Sequence, residues 1–284
     1  MDEYAARFCI GGAAGGPERR HVTRSRVAVS RQILEAIQRR DPRRNVSSTR
    51  PVFSTYGISW DLPFSQDAGS LAMILAHVCD PGTNEIGHAG RLLQTTASAA
   101  LADGSEWQFD GGILKDFQIV VDPRQPVGLS TVWQFGKLTE TPFPDEPILR
   151  TRSGEQAGPQ HCSITLGTTP CVTFAGTLAF SREAVPAHFG LDGYAQSFRG
   201  QIAMDLVGRM TVRLADGFPV LSDRFADSFQ MRIAVGERAL LIDVPQASFQ
   251  SSNRRVVSSS LTDYTVEMLA VKGPDHPLAT LTLA

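Results

Sequence analysis

Histidine is the side chain most often used to move protons or hold a metal near neutral pH. This 284-residue chain has six: His21, His77, His88, His161, His188 and His276. They fall singly in unrelated segments, and no HExxH spacing surrounds any of them. His161 and Cys162, with Cys171 further on, come nearest to a metal cluster. That spacing matches no zinc finger or ribbon and brings no fourth ligand, so buried thiols are the simpler reading. Cys9 and Cys79 complete the set of four, scattered as reduced thiols would be rather than arranged as a disulfide framework.

Nucleophilic and phosphate-binding signatures are missing as well. There is no Gly-x-Ser-x-Gly elbow, and the glycine-rich stretch at residues 11–17, GGAAGGP, lacks the Gly-Lys-Ser/Thr ending of a phosphate loop. Asp61 and Asp205 sit at matching positions in two weakly echoed strand patterns, GISWDL and GQIAMDL. A carboxylate pair of that kind could hydrolyse a glycoside. Alternation puts both on polar strand faces, where solvated carboxylates are the rule. The expectation is therefore no catalytic residue, no metal ligand and no cofactor.

With 42% hydrophobic and 20% charged residues, the composition is that of an ordinary folded protein. No stretch approaches the roughly 18 apolar residues that cross a bilayer, and Asp2, Glu3 and Arg7 interrupt the start, so neither membrane insertion nor export is expected. A net charge of −2 argues against tight phosphate binding. The charge is uneven, however. In the first fifty residues eleven arginines face Asp2, Glu3, Glu18, Glu35 and Asp41, which leaves the remainder acidic.

These chemically quiet residues are carried by alternating segments. Residues 1–29 read as a flexible basic N-terminal arm, because glycine is costly to order. Residues 30–42, SRQILEAIQRRDP, predict a short helix capped by Ser30, with Ile33, Leu34 and Ile37 on one face and Pro42 ending it. Alternation then begins with Tyr56, Ile58, Trp60 and Leu62, and a packed helix follows over 70–79 with Leu71, Ile74, Leu75 and Val78 at helical spacing. Residues 113–121 and 129–135 predict an antiparallel hairpin across a turn-rich connector. A first β half thus spans 30–138. A Pro/Gly-rich loop or linker covers 139–170, and a second β half with further alternating runs covers 171–284. The class is mainly β and antiparallel.

Taken in order, residues 30–40, the stretches NVSSTRPVF and YGISWDLPF, the helix at 70–79, the hairpin FDGGILKDFQIVV with LSTVWQFGK, and the later FRGQIAMDL and ALLIDVPQASF resemble the major tail tube proteins of long-tailed, siphophage-type bacteriophages. The resemblance covers about residues 24–283. It implies an antiparallel β-sandwich or partial barrel of the phage tail tube type, with one flanking helix and an N-terminal arm. It also implies a structural virion protein whose copies form rings that stack into a hollow tube delivering DNA. Its partners would be itself, in hexameric rings or trimers with pseudo-sixfold symmetry, and the tape measure, tail terminator and distal tail proteins. Assembly in the host cytoplasm and residence in the virion follow.

Within that frame Arg19, Arg20, Arg24 and Arg26 are candidates for the junction between rings. A channel that passes DNA should not grip phosphates. Asp116, Gln118, Ser130 and Gln134 are therefore the lumen-facing candidates. Phe117, Ile119, Thr131 and Trp133, on the opposite faces, are expected in the core or at subunit contacts. The competing expectation is a β-sandwich binding module, a receptor- or glycan-binding virion or surface protein with a concave aromatic site.

Overall fold

The alternating segments become antiparallel ladders in the computed structural model, which describes residues 3–11, 19–21, 27–40, 46–64, 68–80, 83–86, 94–101, 103–142, 149–150, 155–171, 173–189, 195–200, 204–215, 224–258 and 261–284. The chain is mainly β, with one α-helix among the described residues.

The first strands are β1 (Glu3–Gly11), β2 (Arg19–His21), β3 (Val27–Arg40) and β4 (Val46–Pro63). Helix α1 (Ala68–Val78) follows, then β5 (Glu85–Ile86), β6 (Thr95–Leu101), β7 (Glu106–Val121), β8 (Gly128–Phe135), β9 (Lys137–Glu140) and β10 (Leu149–Arg150). A 3-10 turn (Pro159–His161) leads to β11 (Cys162–Leu166), β12 (Thr169–Pro170), β13 (Thr173–Ser181), β14 (Ala184–Phe189) and β15 (Ala195–Gly200). The chain closes with β16 (Asp205–Ala215), β17 (Arg224–Val235), β18 (Arg238–Ser258), β19 (Leu261–Ala270) and β20 (Ala279–Leu283). The described pairings are antiparallel except β10 with β2.

Two long strands change partners midway, and each does so at a residue suited to a bend. The first part of β7 pairs with β6 and β9; from Ile113 it pairs with β8, and from Asp116 also with β13. Gly111, with φ 68°, stands at the change, in left-handed backbone that a side chain would strain. Next to it Gly112 lies under the Phe135 ring, where a Cβ would sit 2.0 Å from a ring carbon. In β18 the edge that faces β20 over residues 240–243 faces β19 from Ala247 onward, with β17 on the other side from Arg238 to Gln250. The β17–β18 register shifts between Asp227 and Phe229, opposite Pro245 and Gln246; proline is tolerated at such a bulge because no ladder donor is needed.

One hydrophobic cluster runs through both parts of the chain. It takes in Phe8, Trp60, Phe117 and Trp133 as well as Phe180, Phe249 and Val266. Nine-residue β13 joins the parts, pairing with β7 on one side and β16 on the other. Helix α1 turns Leu71, Ile74, Leu75 and Val78 into this core and leaves Ala72 and Ala76 exposed, as its helical spacing requires.

Three expectations are corrected. Residues 27–40 form a strand rather than a helix from Ser30. Ile33, Leu34 and Ile37 suit either period, and the long-range ladder with β4 decides between them, through bulges at Ile33/Glu35, Glu35/Ala36 and Arg39/Arg40. The N-terminal stretch is not an arm over residues 3–11. There β1 pairs with β6 and β2, and Phe8 and Ile10 enter the core, where burial outweighs the entropy of the glycines beyond. Within the 139–170 stretch read as loop, β11 is a strand paired with β17, with Ile164 and Leu166 buried.

Candidate functional site

The β7–β8 pair sits in the middle of the sheet and separates two kinds of surface. On its core side Phe117 stacks against Phe180 with ring centroids 5.4 Å apart, and Trp133 stacks against Trp60 at 5.6 Å. Ile119 is buried beside them, and the Thr131 hydroxyl donates to the Trp60 carbonyl at 3.4 Å. The strand period of two then forces Asp116, Gln118 and Ser130 to the other face, where each is half-buried.

Register extends that face across neighbouring strands. Asp61, Ser130, Gln118, Ala179 and Val207 form one row, and Ser59, Val132, Asp116, Ser181 and Asp205 the next. The surface is made of short side chains and carries three carboxylates. Further along it the arginines are matched by acids: Arg213 donates to both carboxylate oxygens of Asp263 at 2.7 and 3.0 Å, and Arg209 lies 3.6 Å from Glu267. Burial lifts the Asp116 carboxyl above its usual range, with Lys115 pulling the other way.

Gln134 departs from the expectation. It lies in the row of Ile113 and Gly57, and it is only 7% exposed. Its amide donates to the Thr55 hydroxyl at 3.4 Å, while its carbonyl oxygen is buried without a partner. Ile113 packs with Ala195 and Phe198 of β15, so the β14–β15 hairpin covers this end of the face. Of the arginine candidates, Arg19 and Arg20 lie on β2 opposite Gly11 and Ile10; Arg24 and Arg26 lie outside the described residues.

The suspected chemical groups stay apart. Asp61 and Asp205 are four strand spacings from each other, about 19 Å, well beyond the separation of a glycosidase pair. Burial pushes the Cys79, Cys162 and Cys171 thiols up to about 12, so they remain protonated and poor nucleophiles at neutral pH. Among the described residues no three His, Cys, Asp or Glu side chains gather to hold a metal. His77 lies against the Trp133 ring with centroids 4.9 Å apart.

One positioning residue escaped the sequence reading. Arg182, 7% exposed, donates from Nη2 to the His77 carbonyl at 2.5 Å, and its backbone N–H donates to Lys115 at 3.0 Å. It thereby ties the C-terminal end of α1 to the β7–β13 pair. Burial lowers its guanidinium to about 10, with nearby Asp80 opposing the shift. Followed by Glu183 at the end of an alternating run, Arg182 looks in sequence like a solvated turn residue. A scan against protein-family models finds no match for this chain, and no curated protein matches it.

Proposed function

We propose that this chain is a structural virion protein of the phage tail tube type, an antiparallel sandwich or partial barrel whose copies join edge to edge into rings, hexameric or trimeric with pseudo-sixfold symmetry, that stack into a conduit for DNA. The observation that carries the reading is the open β3–β4 ribbon. From Gln32 to Arg40 and from Val46 to Thr55 these strands pair only with each other among the described residues. At the other end of the sheet Arg224, Phe225, Ala226 and Asp227 of β17 pair only with β18. The ribbon extends about 30 Å past the last rung that β4 shares with β8.

Unpaired edges of that length invite aggregation unless they meet a partner. Head-to-tail pairing of two different edges, closed by rotation, gives each copy that partner in a ring. The face bearing Asp116, Gln118 and Ser130 suits a lumen, since its carboxylates repel phosphate and Arg209 and Arg213 already face acids. Arg19, Arg20, Arg24 and Arg26 are the proposed contacts between rings. Because β1 carries Phe8 and Ile10 into the core, that junction is tested by charge reversal rather than truncation. Reversing all four should leave a folded subunit that forms single rings but not tubes.

Negative-stain microscopy with sedimentation velocity over a concentration series tests the reading. Rings or tubes that grow with concentration support it. A chain that stays monomeric throughout refutes it. The binding-module reading draws on a different observation, the adjacent exposed pair Val207 and Leu269, and would be favoured by a soluble monomer that retains a ligand at that patch.

A further inference from the structure

The β14–β15 hairpin is the one described strand pair outside the continuous sheet. Its ladder is irregular, with register shifts at Pro186/His188 and His188/Phe189. It rests on the outward face of β7 and β8 through a small cluster of its own, Ile113, Ala195 and Phe198, separate from the main core. On the same face, beside Ile113 and Gly136 which the hairpin touches, Thr55 and Gln134 are buried and joined by a long hydrogen bond, with the Gln134 carbonyl oxygen unsatisfied. Trp60 and Trp133 in the main core also carry unpaired ring nitrogens, but there a large apolar cluster offsets the unrecovered desolvation, which the hairpin's small cluster does not. Few apolar contacts over an imperfectly satisfied polar strip mark an element near the low end of local stability.

The hairpin also has a fixed base. Arg182, between β13 and β14, is held by the Lys115 and His77 carbonyls, so movement beyond that point need not disturb β13 or α1. The covered strip continues into the open ribbon, since Thr55 pairs with Gln32 of β3. We propose that the β14–β15 hairpin is a seated cover over Ile113, Gln134 and Thr55 that lifts when a second copy of the chain engages the root of the β3–β4 ribbon. It acts as a brake on assembly. The coupling rests on the tube reading; the cover itself does not.

Gly136 offers a way to pry the hairpin up. A Cβ there would stand 1.8 Å from the Ala195 carbonyl oxygen, its three nearest neighbours all belong to Ala195, and the Gly136 backbone is not left-handed, so alanine presses first on the hairpin. Hydrogen exchange of amides in residues 184–189 and 195–200 is compared in the full chain, Gly136→Ala, Phe198→Ala and Gln134→Leu, alongside the lag and critical concentration for assembly. Gly136→Ala and Phe198→Ala should exchange about tenfold faster and assemble with a shorter lag; Gln134→Leu should slow both. Hairpin exchange that none of the variants changes, in a parent that assembles, overturns the cover and with it the coupling, and leaves the tube reading standing. Faster exchange with unaltered assembly overturns the coupling. A parent that never assembles overturns the coupling and the tube reading together.

Discussion

The β7–β8 pair and the β3–β4 ribbon use the same antiparallel ladder, but one is flanked by further strands on both sides and the other, for most of its length, by none among the described residues. In the first, Phe117 and Trp133 are buried against the Phe180 and Trp60 rings behind the outward Asp116, Gln118 and Ser130. In the second, the backbone edges meet no further strand among the described residues. A two-stranded ribbon alone is marginal in water. The comparison teaches that the central pair supplies stability and the ribbon supplies unspent pairing capacity.

Substitutions can sharpen that contrast. Trp133→Ala, which removes the stack on Trp60 and the contact with His77, should cost about 3–5 kcal/mol by urea denaturation. Arg182→Met should come next at about 3 kcal/mol, because it removes a buried charged donor from the His77 carbonyl and a cation from the neighbourhood of Asp80. Adding Asp80→Asn should recover part of that loss, an outcome that a purely steric defect would not give. Replacing residues 33–54 with a two-residue Asn-Gly turn, which keeps Gln32 opposite Thr55, should shift the melting midpoint only slightly yet abolish polymer in the microscope; a large fall in the midpoint would break the comparison.

The smallest effect is expected at Asp116. Its carboxyl is raised in the folded chain by burial, so its contribution is fully present below the unfolded pKa and is lost as pH rises through the folded one. Asp116→Asn should therefore match the parent in acid and become more stable than it at neutral pH. The gain should stay below about 0.5 kcal/mol because the group is half-exposed. Thermal melts across that range check the sign.

The sequence by itself determined the mainly β character, helix α1, and which side of β7 and β8 enters the core. These are local properties: a helix satisfies its own hydrogen bonds, and a strand of known period presents one apolar face whatever its neighbours. Tertiary structure alone decided that residues 27–40 extend rather than coil, that β1 joins the sheet, and that Gly111 and Pro245 mark the corners. It also separated Asp61 from Asp205 and placed Gln134 beside the residues that a hairpin touches. Strand neighbours lie tens to hundreds of residues away in the chain, and the free energy that selects them comes from ladders and burial that no single segment contains.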